Sequence, residues 1–292
     1  MITKHYYHCA TKGLKDGILF PGLNSFVAGM NRIGICLIQS IRGNYPIRIL
    51  AFCLMDNHVH FILYGTEDDC YRFMTNYRKL TEMWFAFHPE EGQGKKKWDI
   101  GVWKISDQES LIEKIVYVFR NPTVAGLAVS PQGYLWSSAG LMFVDKTFLQ
   151  KEYTPVSTIS LSKKRRMFNT KTLIPDNWLV NESGLIWPGC YVEYDRAERL
   201  FKSAAAFNYE MNKKVEEKVN SEMLTDQISL PDNEMKGKAE ALSAELFQSK
   251  IKELNVSQRQ NLARILKKET GASTKQLARI VGIRMETLKV LI

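Results

Sequence analysis

Two histidines separated by one residue stand at the start of a strand-like run in this 292-residue chain. Side chains of a strand alternate between its faces, so His58 and His60 are expected on the same face of a sheet. Neutral imidazoles bind divalent metals, but two of them form a complete site only with a third ligand. A His-x-His pair also occurs in strands that bind nothing, so a purely structural role stays open.

A tyrosine and an asparagine one helical turn apart form the second group. Tyr117 and Asn121 share one face of the helix predicted near residues 106–119. If that face lies over His58 and His60, the Asn121 carbonyl oxygen can complete a metal shell while Tyr117 points at a metal-held phosphate. The alternative is a core tyrosine followed by an asparagine cap before Pro122.

Nucleophilic attack on a phosphate diester is the chemistry these residue types allow. A phenol, with a pKa of about 10, attacks poorly unless a cation polarises the phosphate. A phosphotyrosine would then keep the bond energy for rejoining without ATP. No second tyrosine stands one turn from Tyr117 on its helix, which favours a single nucleophile.

Strands and helices interleave over the first 150 residues and predict an α+β sandwich with a mostly antiparallel sheet. The predicted strands are 5–11, 48–54 and 59–64, the last two joined by a turn at 55–58. The predicted helices are 25–40, 68–88 and 106–119. Asn121-Pro122 is expected to end the last helix, since a residue before proline avoids the α region.

The second half of the chain has a different character. Residues 151–195 lack periodicity and carry a run of four cations, which predicts a basic irregular linker. Residues 196–292 are predicted to form helices, including helices at 257–270 and 273–281. The stretch 273–284 resembles a helix-turn-helix whose recognition helix would be 284–292. A plain helical bundle is the alternative for this all-α domain.

Composition is consistent with a DNA partner but does not single it out. The formal charge of +9 and the pI near 9.2 suit a polyanion, and both halves of the chain lean positive. Five cysteines without a C-x-x-C pair indicate reduced structural thiols. No apolar run is long enough for a membrane span, and no leader segment is evident, so a cytoplasmic protein without a membrane partner is expected.

Three ordered blocks carry a resemblance to a known family. They are residues 54–60 (LMDNHVH), 117–127 (YVFRNPTVAGL) and 134–138 (YLWSS). In order and spacing, across about residues 5–143, they resemble the REP-associated tyrosine transposases, single-tyrosine members of the HUH superfamily. The region from Ser257 also resembles the helical DNA-binding domain of replication initiators.

The resemblance implies a role for each matched residue. His58 and His60 would be metal ligands for Mg²⁺ or Mn²⁺, Asn121 the third ligand and Tyr117 the nucleophile. It also implies a ferredoxin-like or RRM-like sheet (the HUH endonuclease fold) with the histidines on a central strand. The chemistry would be 5′-phosphotyrosine formation on single-stranded or hairpin repeat DNA, by a monomer or a homodimer.

Further residues are predicted to contact DNA through charge and position. They are Lys104, Arg120, Lys163, Lys164, Arg165, Arg166, Lys275, Arg284, Thr287 and Lys289. Two places depart from the family pattern. Asp56 replaces a proline, and residues 101–104 (GVWK) replace a Gly-Arg-Tyr-Lys block that should lie near the DNA.

Three functions remain in view. The first is a metal-dependent tyrosine DNA endonuclease and strand transferase, that is, a transposase. The second is a transposase-derived regulator that holds hairpin DNA without cutting it. The third is a replication nickase, which a helicase domain or a second tyrosine would have favoured.

Overall fold

The computed structural model describes residues 3–12, 19–91, 99–212, 232–270, 272 and 274–283. The chain divides into two compact units. The first comprises Met1–Lys12 and Ile18–Lys213, and the second Gly13–Gly17 and Lys214–Ile292. Each unit is described by itself below, and the predicted domain boundaries at residues 150 and 195 stay predictions.

A four-stranded antiparallel sheet forms the centre of the first unit. Its strands are β1 (His5–Lys12), β2 (Arg48–Leu54), β3 (Val59–Gly65) and β4 (Asp99–Lys104), in the order β2-β3-β1-β4. The α+β class is therefore confirmed. The strand that follows His58 lies in the interior of the sheet, as predicted, whereas β4 is an edge strand that the sequence analysis did not predict.

Three long helices cover the sheet: α1 (Leu23–Arg42), α2 (Glu67–Phe87) and α3 (Gln108–Val124). The Phe61 ring contacts Phe73 and Tyr77 of α2, with centroids 5.7 and 5.3 Å apart. The neighbouring His60 instead contacts Tyr117 of α3 at 5.4 Å. Since adjacent strand residues point to opposite faces, α2 and α3 lie on opposite sides of β3.

The prediction that Asn121-Pro122 ends the third helix is wrong, because α3 continues to Val124 with Pro122 inside it. Proline removes one N–H donor, but this near the helix end the later amides still find acceptors. Ala125 N donates to Asn121 O at 3.0 Å and Leu127 N to Pro122 O at 2.8 Å. Gly126, at φ 72°, then turns the chain away.

The segment 151–195, predicted as an irregular linker, holds short elements and packs on α1 within the first unit. They are β5 (Thr154–Pro155), α5 (Leu161–Phe168) and β6 (Leu179–Val180), preceded by α4 (Lys146–Leu149). Asn31 Nδ2 of α1 donates to Gly184 O, and Ile186 N donates to Asn31 Oδ1, both at 2.8 Å. Arg32 donates to Phe168 O at 2.9 Å.

Two short helices, α6 (Tyr194–Glu198) and α7 (Ala204–Asn212), close the described part of the first unit. Residues 213–231 lie outside the described part of the chain. The five cysteines are free, as expected. In the described part of the chain, no helix is both long and apolar enough to cross a membrane.

The second unit is helical in the residues that the structure describes. Its helices are α8 (Asp232–Phe247), α9 (Val256–Thr270) and α10 (Thr274–Val281), so the predicted helices at 257–270 and 273–281 are confirmed. Leu262, Leu266, Leu277 and Val281 are among its fully buried residues. The predicted recognition helix, with Arg284, Thr287 and Lys289, lies outside the described residues, as does the Lys275 side chain.

Candidate active site

A tight turn before β3 places the two histidines. Met55 N donates to His58 O at 2.8 Å, which closes the turn after β2. The later block 134–138 braces the same strand end, since Tyr134 Oη donates to Leu54 O at 2.9 Å and Leu54 N donates to Trp136 O at 2.8 Å. Two of the three blocks noted in the sequence therefore meet in space.

The His58 and His60 rings lie together and are almost perpendicular. Their centroids are 4.7 Å apart with an interplanar angle of 87°. Both residues are buried, His60 completely. His58 Nδ1 lies 2.5 Å from Asn57 Oδ1, so a metal bound by His58 would use the other ring nitrogen, Nε2.

Helix α3 brings Tyr117 and Asn121 to the same place. The helix begins after Asp107, whose side chain accepts a hydrogen bond from Ser110 N at 2.8 Å. The Tyr117 ring meets His60 edge-on at 5.4 Å and 82°. The Asn121 side chain lies beside His60, and its Nδ2 donates to Tyr117 O at 2.9 Å. The four residues predicted to do chemistry thus share one cluster.

A third histidine, which the sequence analysis missed, joins the cluster from β1. His8 Nε2 lies 3.1 Å from His60 Nδ1, and the His8 ring also contacts Tyr117 at 5.5 Å. Strand β1 pairs with β3, with His8 opposite Ile62. The signal available in the sequence was a histidine that follows two tyrosines in a predicted strand. Its contact, His60, is distant in the chain.

Burial keeps the His8 and His60 imidazoles neutral. Loss of solvent, together with the nearby charges of Lys114 and His58, lowers the pKa of His8 to about 3. Burial is also the largest cause that lowers the pKa of His60, reinforced by His58 and His8 and opposed by the bond to Asn121. Neutral imidazole is the form that binds metal ions.

A cation and an aromatic ring stand beside the cluster. Lys114 Nζ lies 5.3 Å from the centre of the Tyr117 ring, and the Trp103 ring stacks on His8 at 5.5 Å. Lys104, a predicted DNA contact, is exposed, but the alternation of β4 puts it on the sheet face opposite Trp103. Arg120, another predicted contact, is half-buried and interacts with Glu210 of α7.

The predicted basic cluster lies on α5, which the structure attaches to α1 rather than to α3. Lys163, Arg165 and Arg166 are exposed, whereas Lys164 pairs with Asp176 at 2.8 Å. Because α5 is bonded to α1 through Arg32 and Phe168, these cations are not part of the His60 cluster. The structure therefore brings together the four chemistry-bearing residues, while the basic cluster of α5 lies apart from them.

The chemistry of the donor set fits a divalent ion through two imidazoles and one amide oxygen. His58 and His60 each hold Nδ1 in a contact with a neighbouring side chain, a pattern usual for metal-binding histidines. The Asn121 amide nitrogen is engaged with Tyr117 O, which orients its carbonyl oxygen. Among the described residues, no group of three or more His, Cys, Asp or Glu side chains is arranged for a metal.

Comparison with known proteins does not decide the function. No family model and no curated protein matches the sequence. One solved structure is similar, that of a REP-associated tyrosine transposase bound to a REP hairpin. The two chains are 13% identical with a TM-score of 0.36, over 48% of this chain and 81% of the other. A likeness of that size decides no function, so the function has to be inferred from the geometry of the site.

Proposed function

We propose that this chain is a metal-dependent tyrosine endonuclease and strand transferase, a transposase that acts on single-stranded or hairpin DNA. One observation carries the proposal: Tyr117 and Asn121 of α3 meet His58 and His60 of the sheet in one buried cluster. A core tyrosine and a helix-capping asparagine would not require two imidazoles on the facing strand. The second helical unit would serve as an additional DNA-binding domain.

In this proposal Tyr117 is the nucleophile. Its phenolic oxygen attacks the phosphorus of a DNA phosphodiester, a bond forms from Tyr117 to the 5′-phosphate, and the bond to the 3′-oxygen breaks. The leaving 3′-oxygen gains the proton that the phenol loses. Attack by a 3′-hydroxyl on the phosphotyrosine reverses these steps and rejoins a strand.

The other residues of the cluster would hold the metal ion and orient the nucleophile. His58, His60 and Asn121 would hold Mg²⁺ or Mn²⁺, which when bound supplies a Lewis acid for the scissile phosphate. Lys114, beside the Tyr117 ring, adds a positive charge that attracts the phosphate. Hydrogen bonding of Asn121 to the Tyr117 backbone ties the third ligand to the nucleophile's helix.

One observation favours the second candidate, a protein that binds hairpin DNA without cutting it. Tyr117 is only 4% exposed, so its ring is enclosed by its neighbours. An attacking phenol has to reach a phosphate, and the nuclease therefore requires the Tyr117 ring to move when DNA binds. A protein that only binds has no such requirement.

A labelled-strand assay separates the two candidates. Hairpin oligonucleotides from repeats that flank the gene, with randomised single-stranded flanks, are incubated with Mg²⁺ or Mn²⁺. With 5′-phosphotyrosine chemistry, a 3′ label travels with the protein in a denaturing gel while a 5′ label is released. Tyr117→Phe should abolish the adduct, and Tyr71→Phe, an exposed tyrosine on α2, should not. Tight binding without any adduct would favour the binding-only protein.

A further inference from the structure

Trp103 is a large aromatic side chain at the edge of the sheet, next to the His60 cluster. It remains 46% exposed although it lies within β4. In the pairing of β4 with β1 it stands opposite His8, and the two rings stack at 5.5 Å with 26° between their planes. A single ring, that of His8, therefore separates Trp103 from Tyr117.

A glycine two residues earlier makes room for this indole. A Cβ placed on Gly101 would lie 2.0, 2.4 and 2.6 Å from three atoms of the Trp103 ring. Gly101 is on the same face of β4, so the indole lies across its bare backbone. Gly101 and His8 together hold the ring low over the sheet, with part of its surface left open to solvent.

We propose that the exposed indole of Trp103 is a stacking platform for one unpaired nucleobase of the DNA strand, close to the phosphate attacked by Tyr117. The proposal deepens the proposed function, on which it rests. Every base has a π face, and stacking on an aromatic side chain is the usual way for proteins to hold single-stranded DNA. The platform thus assigns a binding role to β4. The sequence analysis expected residues 101–104 near the DNA but did not predict that they form a strand.

The surroundings favour a nucleotide over an apolar protein segment. Lys114 stands over the Tyr117 ring, on the face of the sheet that carries Trp103. A base on the indole would place its phosphate near this charge, whereas an apolar peptide would gain nothing from it. The net charge of +9 adds a general attraction for the DNA backbone.

Binding should be measured without cleavage, in a Tyr117→Phe background. The probe is a fluorescent hairpin oligonucleotide with single-stranded flanks, titrated by anisotropy. Trp103→Ala should weaken binding by about fivefold to a hundredfold, the usual loss of one stacked base. Trp103→Phe should retain most of the affinity. Tyr71→Ala, an aromatic of similar exposure (53%) on α2, is the matched control and should change little.

A second set of probes finds the stacked base. An abasic site is moved one position at a time along the single-stranded flanks. At one position it should weaken binding by the parent protein but not by Trp103→Ala, because the lost base and the lost ring belong to the same contact. Gly101→Val, which displaces the ring without removing it, should reproduce the effect of Trp103→Ala.

Two results would overturn the platform. They are unchanged affinity in Trp103→Ala, or the same abasic profile in Trp103→Ala and its parent. Because the assay involves no chemistry, its failure is distinct from failure of the nuclease. If the protein cuts DNA but the abasic site and Trp103→Ala act independently, only the platform is refuted. If their effects are coupled but no covalent adduct forms, only the nuclease is refuted.

Discussion

His8 Nε2 lies 3.1 Å from His60 Nδ1, so one of these imidazole nitrogens donates a hydrogen bond and the other accepts it. If His60 binds a metal through Nε2, its Nδ1 carries the proton and donates to His8. The contact then fixes both the tautomer and the orientation of the His60 ring. His8 is in this view a positioning residue, which acts on the metal site through His60.

The first prediction concerns metal affinity. His8→Phe keeps an aromatic ring but removes the acceptor, and should weaken Mn²⁺ binding about tenfold to a hundredfold. His8→Gln, which retains an acceptor oxygen, should recover most of it. The measurement is an electron paramagnetic resonance titration of Mn²⁺ without DNA, beside thermal unfolding of the metal-free proteins to exclude misfolding.

Two outcomes would contradict this role of His8. One is the same Mn²⁺ affinity in His8→Phe and the wild type. The other is a pulsed measurement that counts three imidazole nitrogens on Mn²⁺ in the wild type and two in His8→Phe, which would make His8 a direct ligand.

The second prediction concerns the packing of the segment 151–195. Asn31 bonds two buried backbone groups of that segment, those of Gly184 and Ile186. Asn31→Ala should lower the free energy of unfolding by about 1–3 kcal/mol, because both groups lose their partner in a buried place. Asn24 lies on the same helix as Asn31, and its hydrogen bond to Glu91 is exposed. Asn24→Ala should therefore lower the free energy of unfolding by less than about 0.5 kcal/mol.

Urea unfolding followed by tryptophan fluorescence tests this pair of variants. All six tryptophans of the chain precede residue 214, so the signal reports the first unit alone. Equal losses in the two variants would show that the segment does not depend on Asn31.

The third prediction concerns the second unit. Arg259 of α9 donates to the carbonyls of Leu254 and Lys252 at 2.8 Å, and to those of Val281 and Gly282 at 3.2 Å. A lysine carries its donors on one atom and cannot reach both pairs. Arg259→Lys should therefore destabilise this unit by about 1–3 kcal/mol.

Hydrogen exchange of peptides from residues 251–283 measures the effect of Arg259→Lys. Protection should fall in both α9 and α10. Arg264→Lys, at an exposed position of α9, is the control and should leave protection close to that of the wild type. Unchanged exchange in Arg259→Lys would mean that the four carbonyls do not need the guanidinium.

The sequence predicted the elements that have strong local signals. Strand β2 and the start of β3 have the predicted bounds, because β-branched and aromatic runs flank a polar turn. Strand β4 was missed because glycine is a poor strand former. Gly101 leaves room for the Trp103 ring, which a side chain at this position would displace. The end of α3 was misplaced because a proline near the last turn costs little.

The residues of the candidate site also divide into those with a local signal in the sequence and those without one. Spacing in strand and helix placed His58 with His60 and Tyr117 with Asn121, each pair on one face, and the family resemblance implied that the two pairs meet. His8 could not be placed with them, since its contact with His60 depends on the pairing of β1 with β3 across 52 residues of chain. Long-range pairing also decides that the cations of α5 are attached to α1.

The most direct test of the central claim is to identify the residue that becomes attached to DNA. After incubation with Mn²⁺ and the hairpin oligonucleotides, the adduct is digested with protease and nuclease, and its peptides are sequenced by mass spectrometry. We predict a single modified residue, Tyr117, carrying a 5′-linked nucleotide. Attachment to another residue, or no attachment to a protein that binds the hairpin tightly, would contradict the account.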